Sequence, residues 1–206
     1  MPWRHSTTEL TAHNYQQYII KTGFLQPTCI IFKIQYVKNV DLNKFKNKVK
    51  KPLRRATICF LVKDDKILLA MKKRGFGKGR WNGVGGKVNK GETVLAAAIR
   101  ESQEEIQVTA KKLKLVAKLD FYFPYVALKE DYNQQVLVYL IDDWEGKPAE
   151  TEEMRPHWYS KKLLPYNKMW PDDHLWLPHV LSGKKVRADF YFNESQGVED
   201  YFLKVY

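Results

Sequence analysis

From residue 56 onward, apolar positions fall into short blocks whose period changes along the chain, and the changes mark out the elements. Residues 57–62 (Thr57-Ile58-Cys59-Phe60-Leu61-Val62) and 67–71 (Ile67-Leu68-Leu69-Ala70-Met71) are apolar, β-branched-rich blocks of strand length separated by Asp64-Asp65, which predicts a hairpin. Residues 72–91 carry glycine at 75, 77, 79, 83, 85, 86 and 91, far too many for a helix interior, so this stretch is predicted to be loop with brief strand. Residues 92–106 contain neither Gly nor Pro, and Val94, Leu95, Ala98, Ile99 and Ser102 recur at helical spacing, predicting an amphipathic helix with one buried face. Strand patterns follow at 113–123 and 135–141, then a Pro/Glu-rich turn and the block His157-Trp158-Tyr159. A short helix is predicted at 175–181, and strands at 186–192 and 201–205 close the chain. The sum is an α/β (α+β) chain with a mixed sheet, few helices and no internal repeat.

Residues 1–55 follow a different pattern. They hold 11 of the 35 Lys/Arg but only Glu9 and Asp41 of the 23 acidic residues, a net of +9 out of +12, so residues 56–206 are nearly balanced at +3. We therefore divide the chain into a basic N-terminal extension, 1–55, and a globular body, 56–206. The run from Lys44 to Arg55 has the lysine spacing and late proline of a solvated linker; contact with nucleic acid or an anionic membrane is the alternative. Residues 18–37 contain β-branched and aromatic residues that would add a strand or pack on the body, without a clear period.

Composition sets the outer limits. A chain of 206 residues that is 44% hydrophobic and 14% aromatic has material for one well-packed domain plus an appendage. Cys29 and Cys59 make no disulfide framework, and the five histidines, at 5, 13, 157, 174 and 179, show no metal-ligating or catalytic spacing. With no run of about 18 apolar residues and no secretory start, the expectation is a cytoplasmic protein with no membrane partner, and nothing demands more than a monomer.

The candidate chemistry lies on the predicted helix. Arg100-Glu101-Ser102-Gln103-Glu104-Glu105 places acids at i, i+3 and i+4, on one face. Like charges so close repel unless a cation neutralises them, and ligands that are all oxygen favour Mg²⁺ or Mn²⁺; the bland alternative is a solvated acidic face. Immediately upstream, Gly85-Gly86-Lys87-Val88-Asn89-Lys90-Gly91-Glu92 is a turn whose bare backbone can approach a phosphate or offer a carbonyl to a metal.

Gly86, five residues, Glu92, seven residues, then Arg100-Glu101-Ser102-x-Glu104-Glu105-x-Gln107-Val108 resembles the Nudix box, GX5EX7REUXEEXGU, with Ser102 where an aliphatic residue is usual and Gln107 where glycine is usual. The resemblance implies a Nudix α/β/α sandwich. Further blocks, from Met71-Lys72-Lys73-Arg74-Gly75-Phe76-Gly77 through Arg80-Trp81-Asn82-Gly83, Glu152-Glu153-Met154-Arg155-Pro156, and Met169-Trp170-Pro171-Asp172-Asp173, are similar to the subfamily of animal-type oxidised purine nucleoside triphosphatases, the 8-oxo-dGTP-cleaving MutT homologues. The similarity spans residues 56–206.

That resemblance implies roles residue by residue. Glu101, Glu104, Glu105 and Glu153, with a backbone carbonyl at Gly85 or Gly86, would hold the divalent metals, Mg²⁺ or Mn²⁺. Glu101 or Glu105 would take the attacking water's proton. Arg100 belongs to this catalytic set by orienting a glutamate, together with Glu92. Lys72 would approach the phosphates. Thr57, Phe76, Asn82, Phe121 and Trp170 would line the base pocket, with Asp172 and Asp173 reading the purine edge. Two adjacent carboxyls in an apolar pocket cannot both ionise cheaply, so one would donate a hydrogen bond while its neighbour accepts. Without the resemblance, the same two aspartates would read as a helix N-cap and the phenylalanines as core.

The implied activity is Mg²⁺-dependent hydrolysis of oxidised purine nucleoside triphosphates, 8-oxo-dGTP and 2-hydroxy-dATP, to the monophosphate and pyrophosphate. Two alternatives stand beside it. One is a Nudix hydrolase for a dinucleotide, nucleotide sugar or capped RNA, the last suited by the basic extension. The other is a nucleotide- or nucleic-acid-binding module without turnover, against which the concentrated glutamates argue.

Overall fold

The structure is a computed structural model that describes residues 31–32, 42–49, 52–125 and 132–206. Its elements run β1 (Ile31–Phe32), α1 (Leu42–Lys48), β2 (Arg54–Lys63), β3 (Lys66–Lys72), β4 (Trp81–Asn82), α2 (Val94–Ile106), β5 (Thr109–Tyr122), β6 (Gln134–Glu145), β7 (Met154–Ser160), a 3-10 turn at Tyr166–Lys168, α3 (Asp173–Leu181), β8 (Val186–Phe192) and β9 (Val198–Val205). The strands lie in the order β1-β9-β8-β5-β6-β2-β3-β4, with β7 on β3. Two pairings, β2 with β6 and β5 with β8, are parallel, so the sheet is mixed as expected.

Alternation along the strands sorts side chains to the two faces. Phe60, Ile67 and Leu69 pack with Trp176, Leu177 and Val180 of α3, whereas Cys59, Leu61, Leu68 and Ala70 pack with Val94, Ala98 and Ile106 of α2. One strand thus feeds two cores, and the layers are helix, sheet, helix. The predicted hairpin forms, yet β2 and β3 are paired only next to the turn, at Val62↔Ile67 and Lys63↔Lys66. Beyond it β3 runs along β7, and the free edge of β2 takes up the glycine segment: Cys59 and Val84 exchange both bonds (2.6 and 2.9 Å), Thr57 N–H donates to the Gly86 carbonyl at 2.8 Å, and Val88 N–H to the Arg55 carbonyl at 3.0 Å. A Cβ on Gly85, whose φ is +151°, would stand 2.1 Å from the Thr57 carbonyl oxygen, so only glycine permits this approach.

Helix α2 starts two residues later than predicted because Thr93 caps it, its Oγ1 accepting from Ala96 N–H at 3.1 Å. It ends on Gln107 in the left-handed conformation (φ 63°), with Gln107 N–H on the Gln103 carbonyl and Val108 N–H on that of Ser102. Gln107 therefore carries the backbone strain that glycine avoids. Ser102 is fully buried and donates its hydroxyl to the Ala98 carbonyl at 2.8 Å, so its polar atom is satisfied within the helix. Cys59 is a buried core residue, as predicted. Helix α3 begins at Asp173, two residues before the predicted start.

The linker expectation fails over residues 42–49. Leu42, Phe45 and Val49, at helical spacing, seat α1 on Tyr122, Tyr191 and Phe202 on the outer face of β5, β8 and β9. Phe45 meets Tyr122 and Tyr191 edge-on at 6.0 and 5.2 Å, and Lys46 Nζ lies 2.5 Å from Asp189 Oδ2. The lysines masked a narrow apolar stripe in the sequence. Ile31–Phe32 pair with β9. The rest of the expectation for 18–37 lies outside the described residues, as do Cys29, His5 and His13.

Candidate active site

The three acids of α2 share one face, and Arg100 ties two of them, Glu101 and Glu104, to Glu92. Its Nε and Nη2 grip Glu92 Oε1 and Oε2 at 2.9 and 3.0 Å, Nη1 reaches Glu101 Oε1 at 2.8 Å and Glu104 Oε2 at 2.9 Å, and Nη2 donates to the Lys87 carbonyl at 3.1 Å. Glu92 also accepts from Asn89 N–H at 3.0 Å. Arg100 thus orients carboxylates and locks the glycine turn to the helix. Glu105 points inward: its Oε2 accepts from Gly85 N–H at 2.8 Å, and its Oε1 lies 3.8 Å from Lys72 Nζ. Burial pushes the Glu105 carboxyl up to about 7, only partly offset by the Gly85 amide and Lys72. Burial also raises Glu101, against the pull of Arg100. Glu153, before β7, pairs with Arg74, which holds it below the usual carboxylate range.

Among the described residues, no three Asp, Glu, His or Cys side chains already converge as a ligand set. Glu101 and Glu104 are turned to Arg100 and Glu153 to Arg74. The donors nevertheless suit a hard divalent cation. They are all oxygens, and a Cβ on Gly86 would stand 2.5 Å from Glu101 Oε1, so bare main chain faces the carboxylate directly. The buried Glu105 has one hydrogen-bond donor and one distant ammonium to offset its charge, which leaves a demand for positive charge that a metal meets. Of the two candidate carbonyls, that of Gly86 already accepts from Thr57 N–H, which favours Gly85.

Next to this face opens a cavity of about 260 Å³, and Thr57, Lys72, Phe76, Asn82, Phe121, Trp170, Asp172 and Asp173 all line it, with Gly85 and Gly86. Sheet order brings them together, since β2, β5 and the turn before α3 are far apart in sequence. Trp170 and Phe76 stand 5.1 Å apart, tilted by 35°, and Phe76 stacks on Tyr132 at 4.4 Å. Asn82 Oδ1 accepts from Gly83 N–H at 2.7 Å, which fixes its amide. Thr57 Oγ1 is buried without a partner.

Asp172 and Asp173 are each 2% exposed. Asp172 Oδ2 accepts from the Trp176 indole N–H at 3.0 Å, and Asp173 Oδ2 from Trp170 N–H at 3.0 Å. Although Asp172 occupies the N-cap position of α3, its side chain makes no capping bond, so the capping alternative does not hold for it. Burial raises the Asp172 carboxyl to about 7, and burial plus the charge of Asp172 raises Asp173 well above its ordinary value. Arg80, Phe123, Tyr132 and Trp176 also line the cavity, and sequence reasoning did not single them out. Trp176 had a signal, four residues after Asp172 on a helix; for the single aromatics Phe123 and Tyr132 there was none.

Comparison with known proteins places this geometry among relatives. The family model described as the NUDIX domain matches residues 52–180. The oxidized purine nucleoside triphosphate hydrolase of Danio rerio is 42% identical over 136 residues, covering 66% of this chain and 85% of that protein. The enzyme of the same name from Mus musculus is 38% identical over 148 residues, covering 72% and 92%. The crystal structure of the mutator MutT protein from Bacillus halodurans superposes with a TM-score of 0.64 at 25% identity, over 73% of this chain and 97% of that one.

Proposed function

The chain belongs to the Nudix family, and on that premise we propose that it hydrolyses oxidised purine nucleoside triphosphates, such as 8-oxo-dGTP and 2-hydroxy-dATP, to the monophosphate and pyrophosphate. The observation that carries the reading is the cavity itself: an aromatic slot with two buried aspartates in its lining and, also in its lining, the Gly85–Gly86 turn that bonds Glu105 of α2. A base stacks on Trp170, beside which Phe76 packs at 5.1 Å, while Asn82 and the Asp172–Asp173 pair read its edge. A pair that shares a proton offers a donor and an acceptor, and exchanging them fits oxidised guanine and oxidised adenine in turn. The relatives named for oxidised purines support this choice.

Beside the cavity, Glu101, Glu104, Glu105 and Glu153 with the Gly85 carbonyl would hold Mg²⁺ or Mn²⁺. A bound divalent cation there offsets the charge between carboxylates and phosphates and makes a bound water more acidic. Arg100 keeps Glu101 and Glu104 aimed, and Lys72 meets the phosphates as a point charge. Glu105 accepts the attacking water's proton: unlike Glu101 it is not bonded to Arg100, and its raised carboxyl is poised near neutral pH. We read the protein as a monomer working on the cytoplasmic nucleotide pool. Among the described residues no helix is long and apolar enough to cross a membrane.

The test is pyrophosphate release with Mg²⁺ from 8-oxo-dGTP, 2-hydroxy-dATP and dGTP. Oxidised substrates should be preferred at least tenfold in kcat/KM, about 1.4 kcal/mol of discrimination. Indifference to all three, with turnover of a dinucleotide, nucleotide sugar or capped RNA, would overturn the substrate assignment.

A further inference from the structure

Arg80 is a charged residue at the cavity to which neither the box nor the base-reading residues give a task. It closes the glycine loop between β3 and β4, with its carbonyl accepting from Lys72 N–H and its N–H donating to the Gly77 carbonyl, both at 3.0 Å. The side chain turns onto the opposite wall. Its guanidinium carbon lies 4.5 Å from the centroid of the Trp170 ring, and Nη1 donates to the Met169 carbonyl at 2.9 Å. Arg80 therefore grips, at two points, the turn that presents both aspartates. Gly77 lets the loop come this close, since a Cβ there would stand 3.2 Å from Trp170 Cζ2.

Charge balance gives that grip a consequence. Asp172 and Asp173 are almost wholly removed from water, so two ionised carboxylates would repel each other without hydration. Two protonated ones would leave the Arg80 cation uncompensated beside them. One charge and one proton make the trio neutral, and Arg80 is the cation acting on both carboxyls. The other groups facing the pair are Trp176 of α3, a neutral donor, and Tyr166 of the 3-10 turn, itself raised by burial and by Asp173.

We propose that Arg80 is a positioning residue for base recognition: stacked on Trp170 and bonded to the Met169 carbonyl, it favours the singly charged form of the Asp172–Asp173 pair, in which the pocket presents one acceptor and one donor. The identity of the base rests on the function proposed above; the charge state of the pair does not.

The deciding measurement needs no nucleotide. The Trp176 indole N–H bonded to Asp172 reports the titration of the pair by NMR, in the full chain, for wild type, Arg80→Gln and Arg80→Lys. A nearby cation favours the charged carboxylate, so Arg80→Gln should move the midpoint upward by about one unit, while Arg80→Lys keeps it. An unchanged midpoint in folded Arg80→Gln overturns the proposal. If Arg80→Gln does not fold, Arg80→Met decides in its place: an upward move of about one unit supports the role of the charge, and an unchanged midpoint refutes it. In turnover of 8-oxo-dGTP at neutral pH, Arg80→Gln should raise KM about tenfold with kcat nearly unchanged, a deficit that narrows as pH rises. Loss of kcat at constant KM contradicts the positioning role. Should wild type ignore oxidised purines, the substrate assignment falls, while the Trp176 titration still decides the role of Arg80.

Discussion

The glutamate face of α2 and the cavity beside it both concentrate carboxyl groups, and they do so in opposite ways. Around α2 the acids other than Glu105 are partly exposed and paired with cations: Arg100 meets Glu92, Glu101 and Glu104, and Arg74 meets Glu153, while burial raises Glu101 and pushes Glu105 up to about 7. At the turn before α3 two aspartates are withdrawn from water with one guanidinium beside them. Negative charge kept near a solvated rim suits an ion that must come and go with a phosphate. Negative charge kept in a dry pocket must share a proton, and that suits reading the hydrogen-bond pattern of a base. One residue type thus serves two chemistries, separated by access to water and by the cations at hand.

The contrast is broken most severely at the helix end. Glu105→Gln keeps the size of the side chain but removes the proton acceptor, so kcat should fall by about 10³-fold while nucleotide affinity stays within a few-fold. Pyrophosphate release alongside equilibrium binding checks this, and a large affinity loss would assign Glu105 to substrate binding instead. Gly86→Ala places a methyl 2.5 Å from Glu101 Oε1. Displacing that carboxylate should cost about 100-fold in rate and raise the Mg²⁺ concentration needed for half-maximal activity, read from a metal titration.

At the base end the effect should be smaller and selective. Asp172→Asn should lower kcat/KM for oxidised purines by about 10–100-fold and leave unmodified dGTP little changed. It should also alter the pH dependence of stability. The folded protein keeps a proton on Asp172 up to about pH 7, whereas the unfolded chain releases it in the ordinary carboxylate range. Between those limits the folded state binds more protons, so the pair's contribution to stability falls as pH rises towards 7. Asparagine does not titrate, so the Tm of Asp172→Asn relative to wild type should climb across that window. A difference independent of pH would show that Asp172 is ionised in the fold. The smallest effect is expected away from the cavity: Phe45→Ala should cost about 1–2 kcal/mol in denaturant unfolding, through lost contact with Tyr122 and Tyr191, and leave kcat unchanged.

Local pattern alone makes the helix face, the hairpin and the glycine turn legible. Helical spacing puts Glu101, Glu104 and Glu105 on one face whatever surrounds them, and the glycines at 85 and 86 announce a close backbone approach. The eight residues assigned to phosphate and base binding follow from family likeness, and the fold does bring them around one cavity. Phe123 and Tyr132 carry no such mark, and Arg80 lies in a matching block that gives it no role, because nothing in a single arginine or aromatic residue tells which wall it will meet. The linker reading fails over 44–48 for a related reason: the spacing of Leu42, Phe45 and Val49 becomes informative only once Tyr122 and Tyr191 are seen side by side on β5 and β8.

The sequence by itself determined what nearest neighbours along the chain decide: the period of each element, the acidic face of α2, and the turns that only glycine allows. The tertiary structure alone decided burial and charge compensation, because these depend on side chains tens of residues apart sharing one dry space. Asp172 and Asp173 are ordinary acids in the sequence; the sheet and α3 withdraw them side by side from water, which raises both carboxyls.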